Sequence, residues 1–371
     1  MPTPPVLSQR ALGRALLARQ FLLERAEVKV ADAVEHLVGL QAQAPYAPYF
    51  GLWTRLADFR VDDLVEAITE RRVVRIALMR STVHLVTPRD CAALRPWIQP
   101  ALDRELNTAF RKALEGLDRD AVAAAGRELL EERHLTTREL GALLHERWPD
   151  REARAMTYVV RNLVPLVQVP PRGIWGVGGL TRYATAASWL GGAGEGPGAA
   201  PEDLVLRYLA AFGPASVRDV QTWAGLVRLR PVVEGLRPRL SVFRDENGVE
   251  LFDLPDAPRP DPDAPAPVRF LPEYDNLLAS HADRTRVISD EYRRLVMTRN
   301  GMRATFLVDG LVSGAWKLER KRGAATLTVE PFGKLSRKHQ SAVSAEGSRL
   351  LRFAADDADA DAREIRFVPV E

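Results

Sequence analysis

The chain has 371 residues, 46% hydrophobic and 27% charged, enough apolar material for a full core and for two or three modules. No run of about 18 apolar residues argues for a membrane span, and arginines at 10, 14 and 19 interrupt what a signal peptide would need as its apolar core. A single cysteine, Cys91, excludes an internal disulfide and fits a reducing cytosol; the six scattered histidines show no metal-ligand spacing. Net charge is only +3, yet Arg284 to Lys338 holds thirteen Lys/Arg against five Asp/Glu, a local +8. That asymmetry fits a surface facing a polyanion, and equally a solvated arginine-rich surface.

In chain order, residues 8–87 predict helices at Gln9–Leu23, Val30–Leu40 and Asp62–Arg71, then strands in VVRIALMRSTVHLV. Residues 119–189 predict a helix at Ala121–Arg133. A capping box, Thr136 with Glu139, then opens a second helix. A third follows at Met156–Val167, and then the Gly/Pro-rich stretch QVPPRGIWGVGG. The pattern is plainest in residues 201–255. A periodic helix ends at Gly213, Ser216 and Asp219 cap a second, and Pro231–Leu236 makes a third. Two short strands then flank Asp245-Glu-Asn-Gly248. Three short helices and a β-hairpin is the winged-helix plan, with the second and third helices as the helix-turn-helix.

Gly191–Pro201 and the Pro/Asp-rich Asp256–Pro267 read as linkers, the latter extended. Beyond them the pattern changes. ATFLVDG and LVSGAWKLER pair across Asp309-Gly310, and LERKRGAATLTVEPF makes a second hairpin tipped by Arg320, Lys321 and Arg322. A helix follows at Ser336–Phe353 and a last strand at Ile365–Val370. The expected fold is α+β: three tandem winged-helix modules (1–118, 119–200 and 201–255) in a C-shaped arrangement. A β-rich extension with a projecting hairpin follows (256–371).

Several residues invite chemistry. In HLVGLQAQAP, Gly39 weakens the second helix and Pro45 biases Ala44 away from helical backbone. In an extended exit Gln41 and Gln43 share a face, offering amides that orient a water or read a base edge; satisfied amides give the same pattern. His84, on a strand with apolar neighbours, is the kind of histidine that packs in a core with one nitrogen satisfied. The alternative places it on DNA beside Arg80. Asp275, Asn276, His281, Asp283, Arg284 and Arg286 either line a groove or pair internally. The basic hairpin tip either enters a DNA groove or is simply exposed. No phosphate-binding P-loop, dinucleotide fingerprint, GxSxG elbow or zinc-deaminase motif occurs.

HLVGLQAQAP with FGLW, LMRSTVHLVTPRDC, PPRGIWG, YLAAFGPASVRDVQTWAGL, RFLPEYDNLLASHADRTRV and FLVDGLVSGAWKL occur in this order. Together they resemble the AlkZ-like winged-helix DNA glycosylase family over nearly the whole chain, 7–368. The resemblance implies a concave face that holds duplex DNA and hydrolysis of the glycosidic bond of N7-alkylguanine, in some members within interstrand crosslinks. It implies a Gln-aliphatic-Gln catalytic motif, here Gln41-Ala42-Gln43, rather than the Gln-aliphatic-Asp of the AlkX branch. It also implies a C-terminal hairpin used on crosslinks, matched to LERKRGAATL, and a role in resistance to DNA-alkylating natural products. The DNA-facing candidates are Arg80, His84, Arg284, Arg286, Lys317, Arg320, Lys321 and Arg322. No metal or cofactor is expected; the partner is double-stranded DNA carrying alkylated guanine, met by a cytoplasmic, nucleoid-associated monomer. A non-enzymatic DNA-binding regulator or adduct-sequestering protein is the competing class, and a protein-interaction scaffold a third. The two glutamines discriminate between enzyme and regulator.

Overall fold

The first helix begins where Ser8 caps it, accepting from the Ala11 N–H at 3.2 Å. The computed structural model describes residues 4–192, 196, 198–299, 301–321, 323–356 and 358–370. After β1 (Val6–Leu7) come α1 (Gln9–Arg19), α2 (Val30–His36), β2 (Leu40–Gln41), α3 (Ala47–Trp53) and α4 (Val61–Thr69). Next are β3 (Val74–Ala77), β4 (Val83–Val86) and the long α5 (Pro88–Ala109). The first helix stops four residues short of Leu23 because Phe21 takes a left-handed φ of 56°. The second stops at His36, before Val38 (φ 53°) and Gly39 (φ 87°) turn the chain into β2.

The next unit runs α6 (Arg119–Glu132), β5 (Leu135–Thr136), α7 (Thr137–Arg147), α8 (Ala153–Leu163), β6 (Leu166–Val169), β7 (Arg182–Thr185) and α9 (Ala186–Leu190). The Thr136/Glu139 capping box is present. The helix expected to reach Val167 ends at Leu163 instead. Pro165 forces Val164 into extended backbone (φ −102°, ψ 130°), and Leu166–Val169 is a strand. Then follow α10 (Pro201–Phe212), α11 (Val217–Ala224, opened by the Ser216/Asp219 capping box), α12 (Arg230–Leu236), β8 (Ser241–Asp245) and β9 (Glu250–Asp253). Of the stretch Gly191–Pro201, residues 193–195 and 197 lie outside the described residues. The C-terminal part holds β10 (Arg269–Leu271), α13 (Asp290–Val296), β11 (Met297–Thr298), β12 (Gly301–Met302), β13 (Thr305–Val308), β14 (Leu311–Lys321), β15 (Ala324–Pro331), α14 (Arg337–Ala354) and β16 (Arg363–Phe367). Asp309 (φ 49°) and Gly310 (φ 81°) supply the two positive φ angles that the β13–β14 turn needs.

The sheets tie distant segments together. The hairpins of the first two units fuse into one six-stranded sheet, β2-β4-β3-β6-β7-β5, through an antiparallel β3–β6 pair. The C-terminal sheet is β10-β13-β14-β15-β16, with β16 parallel to β15. β1 joins β8 and β9 by pairing parallel with β8. One apolar cluster unites α2–α4 with the C-terminal sheet and α14, where Phe353 meets Trp53 at a ring-centroid distance of 5.7 Å. A second cluster runs from α1 through α5, α10 and α11, and a third lies within residues 106–166. Two buried guanidinium–carboxylate pairs lock these layers: Arg19 with Asp253 at 2.7 and 2.9 Å, and Arg55 with Asp275 at 2.8 Å twice. Removing one partner of such a pair costs about 3–5 kcal/mol, because the other charge stays buried. The Asp256–Pro267 segment, read as an extended linker, has no regular structure but is tacked along α1. Arg14 donates to the Ala264 carbonyl at 2.7 Å and Arg19 to that of Pro258 at 3.2 Å. No helix among the described residues is long and apolar enough to cross a membrane.

Candidate active site

The glutamine segment is clamped from several directions. Gln41 lies opposite His84 in the β2–β4 ladder, and the Ala42 N–H donates to the Val83 carbonyl at 2.7 Å. Asn276, from the loop after β10, bridges the strand: its Nδ2 donates to the Gly39 carbonyl at 2.6 Å and its Oδ1 accepts from the Gln41 N–H at 3.4 Å. Between the glutamines, Arg75 of β3 donates to the Ala42 carbonyl at 2.8 Å. Burial pulls the Arg75 guanidinium down to about 10, with Arg172 adding repulsion, so it stays charged at neutral pH.

The two amides are held differently. Gln41 is buried, 8% exposed, and its Oε1 accepts from Arg80 Nη2 at 2.9 Å, which leaves its NH2 on the opposite prong. Gln43 is exposed, and its Oε1 accepts from the Val83 N–H in a long 3.3 Å bond. Gln43 is therefore the amide that meets solvent, and Gln41 the one fixed in orientation.

Arg80 was expected to contact DNA, and the structure turns it inward. It sits in the tight β3–β4 turn, where both Arg80 (φ 55°) and Ser81 (φ 58°) are left-handed. From there its second nitrogen donates to the Trp223 carbonyl at 2.5 Å, at the C-terminal end of α11, where a cation also meets the helix dipole. Gly225 makes the approach possible: a Cβ there would stand 3.2 Å from the Arg80 backbone. Burial, and then Arg284, lower the Arg80 guanidinium to about 10.

His84 and Arg286 are also removed from the DNA-facing set, because both are inside the protein. His84 is 1% exposed. Burial and then Arg80 push it down to about 3, so it is neutral, and its Nδ1 lies 2.9 Å from the Thr82 carbonyl. Arg286 is 6% exposed and donates to the Pro214 carbonyl and to His281, itself buried against Phe212. Asp275 pairs with Arg55 and Asn276 holds the glutamine strand, so most of that polar loop is internal scaffolding. Arg284 is half-buried, its Nε donating to the His281 carbonyl at 3.3 Å. Lys317, Arg320 and Lys321 are exposed on β14; Lys317 pairs with Glu319 at 2.6 Å. Arg322 lies outside the described residues.

Gln43 opens onto a cleft of about 610 Å³, and this cleft contains residues that sequence reasoning missed. Arg138 at the start of α7, and Arg154 and Arg161 on α8, line it with Tyr158 and Tyr183; no Asp or Glu is among its lining residues. Arg161 stacks on Tyr158 and donates to the Ser81 carbonyl at 3.1 Å, next to the turn that carries Arg80. The signal was available: α8 is strongly amphipathic, with 154 and 161 two turns apart on one face. Among the described residues no group of three His, Cys, Asp or Glu is placed to hold a metal.

Oriented neutral amides beside an acid-free cationic cleft suit a substrate that is polyanionic and whose leaving group needs no proton. The class this defines is a DNA N-glycosylase. The comparisons agree: the family described as "DNA glycosylase AlkZ-like" matches residues 34–353, and the chain belongs to that family. An interstrand DNA cross-link repair glycosylase of Streptomyces sahachiroi is 24% identical over 363 residues, covering 91% of this chain and 94% of its own. The solved structure of the DNA glycosylase AlkZ from the same organism superposes with a TM-score of 0.80 at 21% identity, covering 98% of this chain and 100% of that one, which shows the shared α+β fold.

Proposed function

We propose that the chain excises N7-alkylated guanine from duplex DNA by hydrolysing the C1′–N9 bond, leaving an abasic site. The observation that carries this reading is the pairing of an exposed Gln43 with a Gln41 locked by Arg80, at a cleft lined by arginines and lacking acids. N7-alkylguanine already carries a positive charge, so its N9 takes the bond's electron pair and departs as a neutral base. No general acid is required. The transition state resembles an oxocarbenium ion. Gln43 accepts a hydrogen bond from the attacking water and aims it at C1′, and the NH2 of Gln41, held in place because Arg80 occupies its carbonyl oxygen, donates to the oxygen of that water. The water's proton passes to solvent. No lysine is among the cleft's lining residues, which supports hydrolysis without a Schiff base.

Arg138, Arg154 and Arg161 hold phosphates beside the lesion, joined by Arg284 and by Lys317, Arg320, Lys321 and Arg322 of the hairpin. In this reading the chain divides into winged helices at 1–118, 119–200 and 201–255 and then the extension, and acts as a C-shaped monomer around DNA. The cross-link repair activity of the Streptomyces relative supports a substrate range that reaches interstrand crosslinks; bulky adducts and a self-resistance role in the nucleoid belong to the same reading. The test is a duplex with one N7-alkylguanine, comparing wild type with Gln41→Ala/Gln43→Ala after alkaline treatment. Strand breaks with wild type and at least 100-fold fewer with the variant are expected, a loss on the scale of removing positioned transition-state dipoles. Tight binding without abasic product, on methyl and bulky adducts alike, would overturn the reading in favour of a regulator or sequestering protein.

A further inference from the structure

The exposed run Gly176-Val-Gly-Gly-Leu180 forms the tip of the connection between β6 and β7, and the chemistry above does not use it. Leu180 keeps 75% of its surface exposed, more than any other large apolar side chain among the described residues, and Val177 keeps 46%. A lone exposed leucine is ordinary, but this one stands on a built support. The buried Tyr49 hydroxyl donates to the Gly173 carbonyl at 2.8 Å and accepts from the Trp175 N–H at 3.2 Å. The Trp175 ring packs on those of Tyr49 and Tyr46 at 5.0 and 5.3 Å. Gly173, at φ 92°, approaches Arg75, which holds the Ala42 carbonyl, so closely that a Cβ there would stand 3.0 Å from Arg75 Cδ. Gly179 closes the neck of the loop: a Cβ there would stand 3.0 Å from Pro171 Cγ.

Both ends of this tip meet the glutamine segment. On one side the hydroxyl of Tyr46, which follows Gln43 closely in the chain, donates to the Val177 carbonyl in a long 3.5 Å bond. On the other, Tyr183 lines the same cleft as Gln43, and its Cα lies at most about 11 Å from that of Leu180. No Asp or Glu occurs from 170 to 185, and Arg172 stands at the base of the loop. An apolar side chain on an anchored, acid-free loop, beside a cleft lined by arginines, fits the inside of a base stack, which is apolar between two charged backbones. We propose that Leu180 is a wedge that enters the duplex beside the alkylated guanine and parts it from its neighbour. A leucine inserted in this way partly unstacks a base step and kinks the duplex. The gap gives the water at Gln43 a path to C1′ while the base stays near the helix. The role in excision rests on the glycosylase reading above; the insertion itself does not.

The experiment uses the full chain and a duplex in which N7-methylguanine stands next to 2-aminopurine, whose fluorescence rises when it loses its stacking. Leu180→Ala shortens a side chain that is mostly exposed, so Tm should hold. Single-turnover excision should fall about 10- to 30-fold, the loss that follows when most of one leucine side chain no longer leaves water, and Leu180→Met should restore it. The fluorescence rise on binding should appear with wild type and Leu180→Met and be mostly lost with Leu180→Ala. The salt dependence of binding should be the same in all three, because no charge changes. Opposite a mismatched base the lesion is already loosely stacked, so there the deficit of Leu180→Ala should shrink to about threefold or less. Equal rates for wild type and Leu180→Ala overturn the proposal, as does a wild type that raises no fluorescence. A deficit just as large on the mismatched duplex also overturns it, because the loop would then shape the site rather than open the stack. If wild type excises neither duplex, the glycosylase reading fails; a fluorescence rise that Leu180→Ala loses then still supports the insertion, and its absence removes it.

Discussion

Replacing Arg80 with alanine separates its observed role from the one its charge suggested. The side chain gives a hydrogen bond to the Gln41 carbonyl at 2.9 Å and another to the Trp223 carbonyl at 2.5 Å, both from a half-buried arginine. Bonds to charged groups are worth about 1.5–3 kcal/mol each, and relief of the arginine's own desolvation returns part of that. A net loss of about 2–4 kcal/mol is expected. Gln41, freed to rotate, no longer holds its NH2 in place; an error of about 1 Å in a catalytic group costs on the order of 100-fold in rate. Single-turnover base release should therefore fall 10- to 100-fold. Affinity for undamaged duplex, and its dependence on salt, should hardly change. Arg80→Gly sharpens the test. It removes the same donors but relieves the left-handed backbone at φ 55°, worth about 1 kcal/mol, so it should melt higher than Arg80→Ala at the same lowered rate. If either variant instead keeps its rate and lowers the slope of log K against log salt by about one, Arg80 contacts a phosphate and the positioning argument is wrong.

The same geometry sets other outcomes. Replacing Arg138, Arg154 and Arg161 together with alanine should weaken duplex binding and reduce the salt slope by as much as about 3, one for each phosphate that no longer meets an arginine; an unchanged slope on titration by fluorescence anisotropy would take the cleft out of the DNA footprint. Base release should be flat between about pH 5 and 9, because His84 is held near 3 and Arg80 and Arg75 near 10; a bell-shaped profile would reveal an ionising catalyst that the cleft does not show. Stability has a different pH dependence. The folded state depresses His84 from 6.5 to about 3, so the stabilisation is complete above pH 6.5 and declines as pH falls towards 3. About 2 kcal/mol is gone by pH 5, and buried His281 acts in the same direction. Gly126→Ala would set a Cβ 2.3 Å from Val160 Cγ2 where α6 crosses α8, costing about 1–3 kcal/mol and several degrees of Tm; unchanged melting would mean that the two helices can relax there.

The parts of the fold that could be read from sequence are those fixed by neighbours in the chain. The Thr136/Glu139 and Ser216/Asp219 capping boxes and the Asp309-Gly310 turn each follow from two or four adjacent residues, and each is present. The Met156 helix was carried too far because its apolar period continues past Pro165, and the proline's steric demand on Val164 outweighed that period. Pairing between distant segments was not legible. Nothing near Arg75 or Gln168 announces that β3 and β6 will lie side by side and merge two hairpins into one sheet. The site divides the same way. Gln41 and Gln43 stand out as a motif, but Arg75, Arg80 and Asn276, which hold them, are polar residues far apart in the chain, Asn276 by 235 positions from Gln41. Arg80, His84 and Arg286 were read as DNA-facing because charge alone does not reveal whether a side chain points outward or closes a buried network.

The bridge from Asn276 to Gln41 also bears on how the molecule is made. Those residues are 235 positions apart, and the Val6–Leu7 strand pairs with residues 244 and 245. At synthesis rates of about 5–20 residues per second, the first segments wait roughly 10–50 s on the ribosome before their partners emerge. Until then β2 lacks its clamp and Arg80 lacks the end of α11. A nascent or truncated chain can carry both glutamines and still be unable to aim them, so the capacity to cut a base from DNA arrives only when most of the protein has been translated.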